Sequence, residues 1–199
     1  MQDKARPAVS KDINARIASR VRALRVDQGL TLEALAAQCD VSRSMLSLIE
    51  RGESSPTAVV LEKIATGLGV PLATLFEDTR AAPGPLARRD EHISWRDPQS
   101  GYVRRNLSPP GFPSPIQLVE VVLPAGASVA YETGAREVSI HQQIWVLEGR
   151  IEVRYGDTSY CLAEGDCFAM RLDAPMAYHN PTAAPARYVV VIATGRNYA

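Results

Sequence analysis

Along the first third of the chain the apolar positions recur at helical spacing. Ile13, Ile17, Val21 and Leu24 return every three to four residues and share one face of a helix. Gly29 and Thr31 interrupt this period, and Leu32, Leu35 and Ala36 resume it in a second, short helix that the Thr31 hydroxyl can cap. Asp40 and Val41 make a brief turn before Ser42, a second capping hydroxyl, opens a third helix with Met45, Leu46 and Ile49 toward the core. Gly52 stands where a left-handed residue closes a helix. Ser55-Pro56 predicts the start of a fourth, with proline at the first helical position and a buried stripe of Leu61, Ile64, Ala65 and Leu68. Gly69 ends it, and Leu72, Leu75 and Phe76 suggest a fifth. The pattern predicts a five-helix unit over 13–78, preceded by a loose polar start.

The period then changes. Residues 79–90 hold two prolines, a glycine and three arginines without periodicity and read as a linker. From 91 to 199 come short runs rich in β-branched and aromatic residues: Ile116–Leu123, Val138–Leu147, Arg150–Tyr155 and Tyr188–Ala193. Turn signals such as Glu148-Gly149 and Gly165-Asp166 separate them. Many strands without an intervening helix predict an antiparallel β-barrel or sandwich. The fold class expected is multidomain α + β.

Composition narrows the function classes. The 199 residues are 46% hydrophobic and 22% charged, and formal net charge is zero. Splitting after Arg80 leaves 11 basic against 10 acidic residues, then 11 against 12, so neither half is a polycation. That excludes indiscriminate coating of nucleic acid but allows a small basic face. No stretch approaches the roughly 18 apolar residues of a membrane span, and the first thirty residues lack a signal peptide's apolar core. Cys39, Cys161 and Cys167 are odd in number and have no metal-like spacing, which reads as reduced thiols, the latter two buried and unreactive. The expectation is a cytoplasmic protein away from membranes.

A helix, a tight turn and a second helix match a helix-turn-helix unit, with Ala36 as the small residue at the crossing and slim polar Ser42, Arg43, Ser44 and Ser47 on the groove-facing side. Leu24-Arg25, the run Gly29 to Ala36, the run Val41 to Gly52, and Pro56 together make residues 16–70 resemble the Xre-type, lambda-repressor-like family of DNA-binding domains. The resemblance implies that Arg43, Ser44 and Leu48 or Ser47 reach base edges, and that Thr31 and Ser42 contact phosphate. It implies also that Glu50 pairs with Arg25 as scaffold. Arg20, Arg22 and Arg51 read equally as solvated face or phosphate clamp, and Arg51 is carried as a DNA-facing candidate. Asp40 departs from the family's usual turn glycine, though aspartate tolerates a left-handed conformation.

Residues 106–195 resemble a small cupin barrel, a double-stranded β-helix. The carrying segments are Leu123-Pro124-Ala125-Gly126, Ile144 to Val153 with its Leu147-Glu148-Gly149, Gly165-Asp166, Pro175 and Asn180-Pro181. Enzymatic cupins hold a metal with three histidines and a glutamate. The matching positions here fall near Ala135 and Glu137, on Gln142 and on Met176, so no metal is expected. His141 and His179 are a weak alternative pair, because strand alternation turns both away from Gln142 and Met176. Glu137, Gln142, Trp145, Met176 and Tyr178 are candidate lining for an organic ligand. The combined expectation is a regulator that is no enzyme, needs no cofactor, binds double-stranded DNA as a homodimer, and senses a small-molecule effector in its barrel. The alternatives are a metal-dependent dioxygenase or isomerase with a DNA-binding head, and a purely structural, antitoxin-like protein.

Overall fold

The computed structural model describes residues 9–77, 84–132 and 139–195, so part of the expected linker, and Val138, lie outside the described residues. Four α-helices open the chain: α1 (Val9–Asp27), α2 (Leu32–Cys39), α3 (Arg43–Glu50) and α4 (Ala58–Gly67). The expected fifth helix is a single 3-10 turn, Leu72–Phe76. Only four residues separate Gly67 from Leu72, and the side chains of the turn are anchored in the core, so it tightens instead of propagating. α1 begins four residues before Ile13. Three helices start on a hydroxyl: Thr31, Ser42 and Thr57 each accept the backbone N–H three residues on. The fourth cap is therefore Thr57, and Pro56 sits buried just ahead of it instead of at the first helical position.

Ten strands follow: β1 (Ser94–Arg96), β2 (Val103–Asn106), β3 (Ile116–Leu123), β4 (Ser128–Tyr131), β5 (Ser139–Glu148), β6 (Arg150–Tyr155), β7 (Thr158–Ala163), β8 (Cys167–Arg171), β9 (Met176–His179) and β10 (Ala186–Gly195). Among the described residues, antiparallel hydrogen bonding groups them into two sheets, β1-β2-β3-β10-β5-β8 and β4-β9-β6-β7, and not one continuous ring. Their inner faces meet through aromatic rings: Tyr178 of β9 stacks on Tyr188 of β10 at 6.0 Å, and Tyr160 of β7 lies 4.6 Å from Phe168 of β8. The β5–β6 hairpin turns at Gly149, whose φ of 81° favours glycine. A Cβ there would also meet the Ala186 backbone at 3.2 Å.

The helical head and the sheets share one core. Phe76 of the 3-10 turn packs against Trp95 of β1 at 5.5 Å. Asp97, just after β1 and 3% exposed, accepts the Ala58 N–H at the first turn of α4 at 2.9 Å. Its other oxygen accepts from Ser100 N and Oγ. A carboxylate thus sits on the positive end of the α4 dipole, across the joint. Glu77 bridges the same joint, ion-paired with Arg20 of α1 at 3.0 Å and accepting from Gln117 of β3 at 2.6 Å. Arg20 is thereby held at the joint, also donating to Thr74 O at 3.2 Å. Burial raises the Glu77 carboxyl above its ordinary value, partly offset by Arg20.

α2 and α4 approach closely at Cys39 and Gly67, where a Cβ on Gly67 would stand 2.4 Å from the Cys39 sulfur. Cys39 is buried, and burial pushes its thiol up to about 11. Cys161 and Cys167 are exposed, contrary to the sequence expectation, because their strand parity turns them away from inward-facing Leu162 and partly buried Phe168. A thiol-reactive chromophore at pH 8 is expected to label two thiols on the folded protein and the third only after denaturation. Asp97→Ala, which strips a buried helix terminus of its acceptor, is expected to destabilise the fold by about 2 kcal/mol, measured by urea unfolding.

Candidate nucleic-acid interface and sheet cavity

The turn between α2 and α3 is carried by Asp40, which adopts the left-handed conformation (φ 50°, ψ 49°) otherwise held by glycine here. Its N–H closes α2 on Ala36 and Ala37, and its carboxylate pairs with Lys63 of α4 at 2.8 Å. That lysine holds the Asp40 carboxyl below its ordinary value. The departure from glycine is therefore accommodated, and Asp40 gains a partner on the neighbouring helix.

α3 divides cleanly into two faces. Leu46 and Ile49 are fully buried, whereas Ser42, Arg43, Ser44, Met45 and Leu48 are exposed and Ser47 is half-buried. Met45, expected in the core, is 41% exposed, because one residue before Leu46 on a 100° helical step carries it round to the outer flank. The outer flank thus mixes hydroxyls, a guanidinium and two apolar tips. Arg43, at the start of α3, reaches back to the Glu33 carboxylate on α2, and Thr31 and Ser42 cap the N-termini of the two helices. Arg51, at the other end, donates to Ser47 Oγ at 2.5 Å and to Glu53 at 2.8 Å. The head meets the sheets through α4, α1 and the 3-10 turn, and this leaves the α3 flank open to solvent.

Behind the flank, Arg25 of α1 donates Nε and Nη2 to the two oxygens of Glu50 at 2.6 and 2.9 Å, and Nη1 to Leu30 O at 2.7 Å. Their side chains are 13% and 7% exposed. This bidentate pair ties α1 to the end of α3 and the loop before α2, and it raises the Arg25 guanidinium further through its bond to Glu50.

In the sheets, Gln142, Met176 and Tyr178 face inward and line one cavity of about 50 Å³. Trp145 does not: strand parity places it on the outer face, 50% exposed. Glu137 lies outside the described residues. Sequence reading missed the rest of the lining, notably Tyr102, Arg104, Tyr131 and Tyr188. The inward parity of Tyr102 and Arg104 was a usable signal, but β2 was not recognised as a strand. The cavity's far wall is the head itself, through Glu62 of α4 with Pro71 and Leu72. His141 and His179 point outward on different sheets, and His179 Nδ1 is 2.7 Å from Ser128 Oγ, so the alternative metal pair does not form. No group of three or more histidine, cysteine or acidic residues with metal-binding geometry exists among the described residues. The amide, thioether and phenol groups around the cavity do not fit a divalent ion. A second, larger cavity of about 520 Å³ lies between Phe76, Ile93 and the Pro109–Pro113 loop.

The two-helix unit with an open outer flank and the two-sheet β domain each have counterparts among known proteins. Residues 21–75 match the family described as helix-turn-helix, and residues 119–192 match the cupin domain. The chain belongs to the Xre-type helix-turn-helix family of transcriptional regulators that carry a cupin domain. It is 44% identical over 66 residues to the HTH-type transcriptional regulator SutR of Escherichia coli K12, spanning 33% of this chain but only 37% of that protein. It is 41% identical over 68 residues to the control protein C.MunI of a Mycoplasma species, 34% of this chain and 92% of that one. The crystal structure of a helix-turn-helix family transcriptional regulator from Vibrio cholerae superposes with a TM-score of 0.73 at 27% identity, covering 94% of this chain and 99% of that one. No helix among the described residues is long and apolar enough to cross a membrane.

Glu50→Ala leaves the Arg25 guanidinium without its carboxylate in a largely buried site. The expected loss is about 3 kcal/mol of stability, read from the midpoint of chemical unfolding.

Proposed function

We propose that this chain is a cytoplasmic, sequence-specific transcriptional regulator that binds double-stranded DNA as a homodimer and responds to a small-molecule effector held between its sheets. In this reading the segment 13–78 is the reader, 79–90 the connector, and 91–199 the sensing and dimerising unit. The observation that carries it is the solvent-facing flank of α3, linked through Arg43 to Glu33 of α2 and free of the sheets. Arg43 reads a base edge, Ser44, Ser47 and Leu48 contact neighbouring bases, Thr31 and Ser42 present hydroxyls and helix N-termini to phosphate, and Arg51 closes the far end on the backbone. One such unit offers too few contacts for genomic selectivity, so two act on half-sites about one helical turn apart.

Glu33 has a defined part in this scheme. It holds Arg43 in the free protein and must release it to a base, which gives the arginine a fixed starting position on the correct flank. Effector coupling follows from the shared wall: a ligand between Gln142, Met176 and Tyr178 also touches Glu62, Pro71 and Leu72 of the head. The regulator names of the matched relatives favour this reading over an enzyme.

The test is selection of genomic fragments by the purified protein, followed by gel-shift titration. Arg43→Ala is expected to keep the fold and lose about 1–3 kcal/mol of discrimination between selected and random DNA. Glu33→Gln, which frees the same arginine, is expected to tighten binding. Unchanged selectivity in Arg43→Ala removes α3 as the reader, and sedimentation of a monomer bound to a full site removes the dimer.

A further inference from the structure

The two sheets turn different faces to solvent. Outward positions of the four-stranded sheet hold small or charged side chains, among them Ser128, Ala130, Glu152, Arg154 and Cys161. The outward face of the six-stranded sheet is apolar along its middle. Register sets Leu118 of β3 beside Val191 of β10, and Ile116 beside Ala193. Val189, the next outward residue of β10, stands beside Trp145 of β5. With the head docked, Ile116, Leu118 and Trp145 remain 48%, 39% and 50% exposed. Single exposed apolar residues are ordinary, but a row that runs without a break across three strands marks a surface that meets a partner.

The charges on this face suit a second copy of the same chain. Glu120, the acid nearest its middle, is 15% exposed and pairs with Arg105 and with Arg187 at 3.1 Å each. Arg187 also reaches Glu148 at 3.5 Å. Two guanidiniums thus meet two carboxylates within one copy, and the group carries no net charge. A face with an excess of one sign repels its own image across a two-fold axis and selects an opposite partner, whereas a neutral apolar face can meet itself. The area is also sufficient. β2, β3, β10 and β5 hold about 30 residues, each covering about 3.3 by 4.8 Å of sheet, which makes a face of about 500 Å² in plan. Two such faces bury about 1,000 Å² together, the least that a specific interface needs. Cys167, on the edge strand β8, is left at the rim, where a thiol reagent still reaches it.

We propose, resting on the homodimer reading above, that two copies of this chain join back to back through the outward face of the six-stranded sheet. Leu118, Val191 and Trp145 form the centre of the contact, and Trp145 is its aromatic anchor.

The test is sedimentation velocity of the full chain across a dilution series. The unaltered protein is expected to sediment as a dimer. The double variant Leu118→Glu with Trp145→Glu is expected to sediment as a folded monomer, its dissociation constant raised about hundredfold or more. Ala130→Glu, on the outward face of the other sheet, is expected to stay dimeric. Acrylamide quenching of the unaltered protein decides even where the double variant fails to fold. The chain has two tryptophans and Trp95 is 3% exposed, so Trp145 reports on this face. Its quenching is expected to rise several-fold as dilution separates the copies. A dimer that survives the double variant, a dimer lost in Ala130→Glu, or a Trp145 quenched equally at every concentration overturns this face and leaves the dimer reading in place. A monomer at every concentration overturns both. Binding of a single DNA half-site, which needs one reader only, is expected to persist in the double variant, and its absence in the unaltered protein overturns the reader alone.

Discussion

The arrangement depends on a buried carboxylate at a helix start. Asp97 belongs to the sheet domain, yet one of its oxygens completes the first turn of α4 and the other is held by Ser100. A helix N-terminus buried against another domain leaves backbone donors that water cannot reach, so an acceptor must come from the surface that covers it. By supplying it, Asp97 fixes where α4 lands, and the Trp95–Phe76 contact and the Arg20–Glu77–Gln117 bridge follow around it.

That landing site decides what each remaining surface can do. α4, α1 and the 3-10 turn are spent on the joint, so α3, on the other side of the helical unit, keeps its polar flank in solvent. The same docking sets Glu62 and Leu72 as one wall of the cavity whose other walls are strands. Reader and cavity are thus connected by a single short helix, with Lys63 on it joined to the Asp40 turn that introduces α3. A shift of α4 has a direct mechanical route to the flank proposed to read DNA.

Much of the candidate interface was legible because it is local. Hydroxyl caps, a left-handed turn residue and an apolar stripe at helical spacing act within a few residues of one another, so Thr31, Ser42, Asp40 and Gly52 announce their roles in order. Where the reading erred, the cause was a finer angle or an unseen strand. Met45 lies one helical step from Leu46 and crosses from core to solvent; Trp145 lies one strand step from Ile144 and does the same. Cys161 and Cys167 were weighed by composition, which says nothing of the face a strand presents.

Periodicity and punctuation along the chain determined the two kinds of unit, the start and end of most elements, the inward set Gln142, Met176 and Tyr178, and the outward turn of His141 and His179. Only tertiary structure decided that the units share a core, that the fifth helix is a tightened turn, and that Arg104 and Glu62 line one cavity. The division has a physical basis. Helical and strand patterns are set by neighbours within a turn or a pleat. A joint such as Ala58 with Asp97 unites residues 39 positions apart, through a hydrogen bond that neither segment specifies alone.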